Sequence, residues 1–337
     1  MRTKRNTVLI TGATGFLGNR LAKRLVEEGY AIRALARKLS NVGALTGLGV
    51  EIVFGDVGDE SSVRNAMQGV NIVVHAAAGT RGTEKDSNIG TILGTRNVIS
   101  ACITNGIKKL LYISSCSVYE VAGYTENQVV TEEAQLERFP WRRGHYSAAK
   151  QRAETLVTRA MQHGGFPIVV LRPGTLYGPG GEVYTRMMGV SFAQKLFVVF
   201  GDGKDELPLV HVDNVVDAIV ESIGNCAADN QIFNVVDQEL ITKDMYMKRV
   251  VKTLYPKAVM IYCPMSLLLV LTWLQEKLFA IVGKQPLLTV YRLVSSQKRI
   301  KFSTSRIECA IGWRSHVTFE QSVEQLTTGR GERFAGQ

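Results

Sequence analysis

Apolar and polar residues follow two periodicities along this chain, and together they predict strands and helices in turn. Residues 8–11 form a short β-branched run that is typical of a buried strand. Leucines then recur at every fourth position from Leu17 to Leu25, which predicts a helix with one apolar face that ends near Gly29. A second apolar run, at residues 31–36, predicts the next strand.

The same alternation continues as far as residue 236. Further strands are predicted at residues 51–54, 72–76, 110–114, 168–171 and 232–236, and further helices at residues 61–67, 89–105, 210–223 and from about Tyr146 onward. Strands that alternate with helices are typical of a parallel sheet covered on both faces, in which ligands bind beyond the carboxyl ends of the strands. We therefore predict an α/β fold built on a doubly wound parallel sheet.

A cluster of glycine and proline at residues 178–181 interrupts this pattern, and the C-terminal part of the chain is mostly helical in pattern. These changes predict two discontinuous domains. Residues 1–173 and 209–236 are expected to form the sheet domain, and residues 174–208 and 237–337 a smaller, mostly helical domain.

Five cysteines and a net charge of +10 bear on the location and the partners of the chain. The cysteines are odd in number and form no C-x-x-C pair, so we expect neither a disulfide framework nor a bound metal, and a reducing cytoplasm suits them. The N-terminal residues run into the first strand without the apolar core of a signal peptide, so we expect no export. No nucleic-acid-binding module is recognisable, so the charge indicates either a solvated basic surface or attraction to anionic lipid.

Three glycines between the first strand and the first helix form a phosphate-binding pattern. In this G-x-x-G-x-x-G spacing, Gly12 allows a tight turn, Gly15 a close approach of pyrophosphate, and Gly18 close packing of helix against strand. The pattern follows a strand and opens a helix, which is the context that dinucleotide binding requires. We therefore predict a dinucleotide cofactor.

The end of the second predicted strand indicates which dinucleotide binds. NAD-preferring proteins carry an acidic residue there, which accepts hydrogen bonds from the ribose hydroxyls. Arg37 and Lys38 stand there instead, and they suit a 2′-phosphate because arginine binds it bidentately and lysine adds a positive charge. We predict that NADP(H) is preferred and NAD(H) also admitted, with a merely solvated Arg-Lys pair as the alternative. Asp56, after the third strand, is placed to meet the adenine ring.

Seven segments in a fixed order resemble the extended short-chain dehydrogenase/reductases, also described as the epimerase/dehydratase group, and the likeness covers nearly the whole chain. The segments are residues 11–18, Gly55-Asp56, His75 to Ala78, Ser114-Ser115, Tyr146 with Lys150, Arg172 to Gly174 before Tyr177 to Pro179, and His211 to Asp213. In character the chain is most similar to the 3-beta-hydroxysteroid dehydrogenase and dihydroflavonol reductase branch.

The resemblance implies a Rossmann-type sheet domain that binds the nicotinamide cofactor and a smaller domain that binds the substrate. It implies a catalytic set of Ser115, Tyr146 and Lys150. The cofactor contacts that it implies, beyond those already named, are Thr14, Phe16, Leu17, Val57, Ala76, Ala77, Ala78, Tyr146, Lys150, Pro173, Gly174 and Thr175.

Tyr146 and Lys150 are four residues apart, so they share one face of a helix, and the ammonium favours the phenolate. By resemblance, Tyr146 exchanges a proton with the substrate oxygen and Lys150 also holds the nicotinamide ribose. Ser115 is then the hydrogen-bond donor to the reacting oxygen, with Ser117 as the competing choice. A proton relay and a polarising donor are what hydride transfer requires of the protein.

Several neighbouring residues are expected to be structural. His75 ends an apolar strand and is expected to be packed or bonded to backbone, and Cys116 is assigned to packing. His211 and Asp213 are expected to form a hinge between the domains rather than a catalytic dyad.

The residues around the predicted site distinguish three reactions that this fold supports. Dehydratases of the family carry an Asp-Glu pair after the catalytic hydroxyl, where this chain has Cys116 and Ser117. Many epimerases carry asparagine where this chain has Thr175. We predict an NADP-linked oxidoreductase acting on a secondary alcohol or ketone. The alternative is an epimerase of nucleotide-linked or lipid-linked sugars that keeps NAD tightly bound, and a third hypothesis is a cofactor-binding protein without turnover.

Residues 264–283 are strongly apolar, but Gln275, Glu276 and Lys277 near their middle argue against a membrane crossing. Three interpretations remain open: a core helix, a wall of an apolar substrate pocket, and an interfacial helix drawn to anionic lipid by cations such as Lys277, Lys284 and Arg292. The expected partners are a small-molecule substrate, apolar or lipid-linked in the last two cases, a membrane surface contacted through residues 264–283, and a second copy in a homodimer.

Overall fold

The computed structural model describes residues 6–79 and 83–328. Residues 1–5, on which the expectation about a signal peptide rests, lie outside the described residues, as do residues 80–82 and 329–337.

The secondary structure follows the predicted alternation over the first part of the chain. The strands within the described residues are β1 Thr7–Thr11, β2 Ala31–Ala36, β3 Glu51–Phe54, β4 Ile72–His75, β5 Lys109–Ile113, β6 Gln128–Val130, β7 Ile168–Pro173, β8 Thr175–Tyr177, β9 Gly189–Phe192, β10 Leu196–Phe200, β11 Glu206–Leu207, β12 Leu209–His211, β13 Ile232–Val235, β14 Ile241–Thr242, β15 Val259–Cys263 and β16 Ile300–Phe302. The α-helices are α1 Phe16–Glu27, α2 Gly43–Gly47, α3 Glu60–Ala66, α4 Glu84–Ser87, α5 Gly94–Thr104, α6 His145–His163, α7 Val212–Gly224, α8 Lys243–Tyr246, α9 Lys252–Leu254, α10 Met265–Ile281, α11 Val290–Ser296, α12 Ser305–Ile311 and α13 Phe319–Thr328.

Seven of these strands form one parallel sheet in the order β13-β7-β5-β4-β1-β2-β3. Successive residues of β1 point to opposite faces, and both faces are covered. Val8 and Ile10 pack in a core with α1 and α7, whereas Leu9 packs in a second core with α3, α5 and α6. Such burial on both faces explains the uninterrupted apolar runs of the sequence and confirms the predicted doubly wound α/β sheet.

Two predicted helices begin differently in the structure. The helix expected at residues 89–105 opens with a π-helical turn, Asn88–Leu93, before α5 starts at Gly94. The helix expected at residues 210–223 starts at Val212, because the preceding three residues pair as β12 with β8. The apolar periodicity of the three β12 residues also fits a helical turn, so the sequence alone did not identify them as a strand.

Residues 174–208 and 237–328 contain strands as well as helices. Strands β9, β10 and β15 form a separate three-stranded sheet, whose inner face packs Phe197 against Tyr246 and Met247. The C-terminal segment was expected to be mostly helical in pattern, but β14, β15 and β16 interrupt it. These strands are two to five residues long and are paired by distant partners, so local pattern indicates them poorly.

The apolar segment 264–283 forms α10, which is not a core helix. Only Leu268 and Thr272 of α10 are buried. None of the helices in residues 6–79 and 83–328 combines the length and the apolar character that a membrane crossing requires.

Candidate active site

The backbone of the turn between β1 and α1 forms a cradle, a concave space that side chains on its glycines would fill. Gly12 has a φ of +77°, and a Cβ there would lie 2.7 Å from the amide nitrogen of Ala77. A Cβ on Gly18 would lie 2.2 Å from the carbonyl oxygen of Gly12. No side chain caps the N-terminus of α1, so its first amides are free of a side-chain acceptor. The residues present therefore fit the phosphates of a dinucleotide.

Replacing Gly18 by alanine is expected to destabilise the fold by about 1–3 kcal/mol, because the added methyl group meets backbone that has no room to move. Gly47→Ala is the matched control, since a Cβ on this helical glycine meets nothing within 4 Å. Urea unfolding of both variants measures the difference. Equal stabilities would show that Gly18 does not hold α1 against β1.

The loop after β4 forms the opposite wall of this cradle. The amide of Ala77 donates to Oγ1 of Thr11 at 3.3 Å, and the partly exposed Ala76 and Ala78 flank it. The buried His75 side chain stabilises this loop through two hydrogen bonds. Its Nδ1 lies 2.7 Å from Thr11 Oγ1, and its Nε2 lies 3.0 Å from Thr95 Oγ1. Burial lowers the pKa of His75 to about 3, so this side chain is neutral and packed as expected, and it is bonded to side chains rather than to backbone.

The residues predicted to select the cofactor lie at the carboxyl ends of β2 and β3. Arg37 and Lys38 are exposed, and within the described part of the chain neither side chain has an ion-pair partner. Asp56 is exposed and accepts a hydrogen bond from the Gly58 amide at 2.8 Å. The carbonyl of Val57 accepts from Asn97 at 3.0 Å, so the backbone at this end of β3 is fixed.

Ser115 and Tyr146 come together although 31 positions separate them in the sequence. Ser115 follows β5 and caps a short 3₁₀ turn, where its Oγ accepts from the Ser117 amide at 3.1 Å. Tyr146 is the second residue of α6. Burial raises the pKa of Tyr146, and the nearby Ser115 hydroxyl opposes that rise. The Oγ of Ser117, the competing choice, is buried without a partner among the described residues.

Lys150 lies one helical turn beyond Tyr146 and is 2% exposed. Its Nζ donates to the carbonyl oxygen of Ile113 at 2.6 Å and lies 5.2 Å from the centre of the Tyr112 ring. Burial lowers the pKa of Lys150 to about 8, and the nearby carboxylate of Glu154 opposes that shift. The ammonium is therefore fixed beside the end of β5, one turn from the tyrosine, and stays mainly charged at neutral pH.

A buried polar network that sequence reasoning missed supports this arrangement. Glu154, one turn beyond Lys150, accepts from the Arg172 guanidinium at 2.5 to 3.2 Å and from the Ser114 hydroxyl. Arg172 also donates to the Tyr119 hydroxyl at 2.6 Å, and that hydroxyl donates to Asn234 at 2.6 Å. The signal available in the sequence was the spacing of four residues between Lys150 and Glu154, which places both on one face of α6.

His211 and Asp213 lie at the N-terminus of α7, where the Nδ1 of His211 is 3.7 Å from the Asp213 carboxylate. His211 is buried, and its Nδ1 accepts from the backbone amide of Asp213 at the start of α7. Burial lowers the pKa of His211 to about 4. The Asp213 carboxylate pairs with Arg20 of α1 at 3.0 Å. Cys116 is buried, and its Sγ donates to the carbonyl of Arg172 at 3.1 Å, so it packs as expected.

A cavity opens beside Ser115 and contains about 680 Å³ of empty space, including its mouth to solvent. Its lining residues are Ser115, Cys116, Ser117, Val121, Arg143, Gly174, Thr175, Met187, Asp205, Glu206, Leu207, Pro208, Lys243, Ser295, Ser296, Gln297, Lys298, Ile300 and Phe302. Gly174 and Thr175 thus line the cavity, and Pro173 is buried at the end of β7. No residue of segment 264–283 is among them, so the pocket-wall interpretation of that segment is not supported.

The residues that line the cavity on the side away from Ser115 were not predicted from the sequence. Lys243 is 2% exposed, and its ammonium pairs with Asp205 at 2.8 Å and donates to Gln297. Arg299 pairs with the other oxygen of Asp205 at 2.5 Å. Ser295 is 4% exposed, and its hydroxyl has no partner among the described residues. These residues come from separate segments without a shared motif, so no signal in the sequence connected them.

Comparisons with known proteins identify the family of the chain. The profile of the NAD dependent epimerase/dehydratase family matches residues 8–235. The chain is 33% identical over 210 residues to a 2-alkyl-3-oxoalkanoate reductase of Stenotrophomonas maltophilia (strain K279a), an alignment that spans 61% of this chain and 62% of that protein. It is 24% identical over 328 residues to an N-acetyl-alpha-D-glucosaminyl-diphospho-ditrans,octacis-undecaprenol 4-epimerase of Escherichia coli O157:H7, across 95% of this chain and 94% of the relative.

The fold is shared with a solved UDP-glucose 4-epimerase, in complex with UDP-glucose, from the hyperthermophile Thermotoga maritima. The two superpose with a TM-score of 0.74 at 19% identity, over 97% of this chain and 99% of that one. The family profile covers well over half of the chain and includes the glycine turn, Ser115, Tyr146 and Lys150. The chain therefore belongs to the NAD-dependent epimerase/dehydratase family.

Proposed function

We propose that this chain is an oxidoreductase that interconverts a secondary alcohol and a ketone with a nicotinamide cofactor, and that it prefers NADP(H). The observation that carries the proposal is that the Ser115 side chain lies beside the Tyr146 phenol, with Ser115 in the wall of a cavity and Lys150 one helical turn from Tyr146. When bound, the nicotinamide supplies or accepts the hydride, and the protein must supply the proton.

The proposed roles follow from the environment of each side chain. Tyr146 exchanges a proton at its Oη with the substrate oxygen, and Ser115 donates a hydrogen bond to the same oxygen. Because burial raises the pKa of Tyr146, the phenol is protonated at neutral pH and is ready to donate a proton. This state suits ketone reduction. The Lys150 ammonium then stabilises the phenolate that is left.

We assign binding of the cofactor to the backbone of the glycine turn and to the exposed side chains of Arg37 and Lys38. Gly12, Gly15 and Gly18 would admit the pyrophosphate, and Arg37 with Lys38 would bind a 2′-phosphate. Support for NADP(H) comes from the exposure of both cations at the carboxyl end of β2 and from the absence of an ion pair there within the described residues.

Replacing Arg37 by alanine is expected to weaken binding of NADPH by about 1–3 kcal/mol and binding of NADH much less, because only NADPH carries the 2′-phosphate. Fluorescence titration of both cofactors measures this. Arg64→Ala is the matched control, since Arg64 is also exposed but lies on α3 in an ion pair with Glu60. If the unsubstituted protein binds NADPH and NADH equally well, the proposed preference is wrong.

An apolar substrate is proposed from the lining of the cavity. Its apolar side chains include Val121, Met187, Leu207, Ile300 and Phe302. They would contact an apolar part of the substrate, while the polar and charged residues of the lining would orient its polar groups. The name of the Stenotrophomonas relative, a reductase of an oxoalkanoate, is consistent with a ketone on an alkyl chain.

Epimerisation of a lipid-linked or nucleotide-linked sugar, with tightly bound NAD, is the second candidate. It is favoured by the cations Arg143 and Lys298 in the cavity lining, which suit a diphosphate, and by the similarity to the E. coli epimerase over nearly the whole chain.

Two measurements on the purified protein separate the candidates. The first releases bound cofactor by denaturation and identifies it, and the second screens ketones and sugar nucleotides for consumption of NADPH. Turnover of apolar ketones by a protein purified free of cofactor supports the oxidoreductase. Stoichiometric NAD together with sugar interconversion and no net NADPH consumption would replace it by the epimerase.

A further inference from the structure

Helix α10 presents a continuous stripe of large apolar side chains to solvent. The stripe consists of Leu267, Val270, Leu271, Leu274, Leu278 and Ile281, each between 49% and 83% exposed. Their spacing of three and four residues places them on one side of the helix. The opposite side carries Leu268 and Thr272, which are buried, with Leu268 packed near Leu293 of α11. The helix is therefore apolar on both sides, and only one side is covered by the described residues.

Two of the three polar residues near the middle of α10 are turned toward the protein. The Gln275 amide donates to the carbonyl of Leu288 at 3.0 Å and accepts from the amide of Leu287 at 3.0 Å. The Glu276 carboxylate accepts from the amide of Val290, at the start of α11, at 3.1 Å. The Glu276 carboxylate of α10 thus binds the start of α11 instead of facing solvent beside the stripe.

The third polar residue, Lys277, is exposed beside the stripe. Its ammonium lies 5.9 Å from the centre of the half-exposed Trp273 ring. Lys284 follows shortly after the helix and is also exposed. The uncovered side of α10 therefore combines leucines, a tryptophan and cations. Tryptophan and snorkelling lysine are the side chains that prefer the boundary between water and a bilayer.

The strand that leads directly into α10 is also apolar on its exposed side. Val259 and Ile261 of β15 are 58% and 50% exposed. Through β10, the register aligns Val259 with Phe192 and Ile261 with Val190 of β9, which are exposed as well. Exposed apolar surface is thus concentrated in this part of the structure, far beyond the scattered single residues that an ordinary surface carries.

We propose that the exposed stripe of α10 is a binding surface for an anionic lipid bilayer, on which the helix lies without crossing. Charge complementarity favours this occupant: the chain has a net charge of +10, and the cations flanking the stripe match anionic headgroups. A second copy would bring two such positively charged chains together. At 17 residues, with a lysine at its thirteenth position, α10 is suited to lie in the interface rather than to span it.

The test is co-sedimentation of the full chain with vesicles of phosphatidylcholine alone or mixed with phosphatidylserine, at low and high salt. The chain is expected to sediment with the phosphatidylserine vesicles, and less so at high salt. Replacing Leu271 and Leu274 together by serine is expected to weaken this binding by more than about tenfold, because two leucines no longer leave water. Lys277→Glu is expected to abolish the preference for phosphatidylserine.

Ile103→Ser is the matched control, since Ile103 is 64% exposed on α5, away from this surface. Thermal unfolding and NADPH titration, which the variants should leave unchanged, show that each variant is folded. The proposal is overturned if the unsubstituted chain sediments with neither kind of vesicle. It is also overturned if the leucine variant instead converts a dimer to a monomer in light scattering, which would identify a second copy as the occupant. Neither outcome depends on the proposed reaction.

Discussion

Replacing Tyr146 by phenylalanine is expected to lower the turnover number by about 10²–10⁴-fold, the usual contribution of a positioned proton donor. Affinity for the cofactor should change little, because the substitution removes only the phenolic hydroxyl, which lies beside Ser115. Steady-state kinetics with the ketone found in the screen measure the first effect, and fluorescence titration of NADPH measures the second.

Two further variants make this prediction specific. Tyr124→Phe removes a tyrosine hydroxyl that donates to the carbonyl of Gln135 and has no proposed role in the reaction, so its activity should match that of the unsubstituted protein. Lys150→Ala should impair both turnover and cofactor affinity, since its ammonium is proposed to serve both. A Tyr146→Phe protein that keeps most of its activity would disprove the acid/base assignment.

Replacing Glu154 by alanine is expected to destabilise the fold by about 3–5 kcal/mol, the cost of leaving a buried charge without its partner. Arg172 is 3% exposed, and Glu154 is its only carboxylate partner among the ion pairs of the described residues. The loss would also loosen the junction of β7 with α6, because the pair joins Arg172 of the strand to the helix that carries Tyr146 and Lys150. The free energy of unfolding in urea measures the effect.

Glu60→Ala is the control for this experiment. Glu60 pairs with Arg64 on the surface of α3, where both side chains are more than half exposed, so its loss should cost less than about 1 kcal/mol. A double variant, Glu154→Ala with Arg172→Met, should be less destabilised than the sum of the two single variants, because it leaves no unpaired charge. Additive losses would mean that the pair is not coupled.

The sheet and the glycine turn could be predicted from the sequence because both depend on local chemistry. The alternation of apolar runs and helical periodicity determines which segments become strands and helices, and a strand buried on both faces must be apolar throughout. Gly18 is dictated by its contact with the carbonyl of Gly12 in the same turn, and Gly12 by its φ of +77°. Tyr146 and Lys150 were predicted together because four residues of helix place them on one face.

The tertiary structure decided everything that depends on which distant segments meet. Glu154, Arg172, Tyr119 and Asn234 are spread over more than a hundred positions, and only the meeting of α6, β7, β13 and the segment after β5 makes them one network. The far wall of the cavity, with Asp205, Lys243 and Ser295, has the same origin. The exposure of α10 could not be predicted from the sequence either. An apolar pattern indicates that a helix prefers apolar contacts, but it does not show whether the rest of the chain covers the helix.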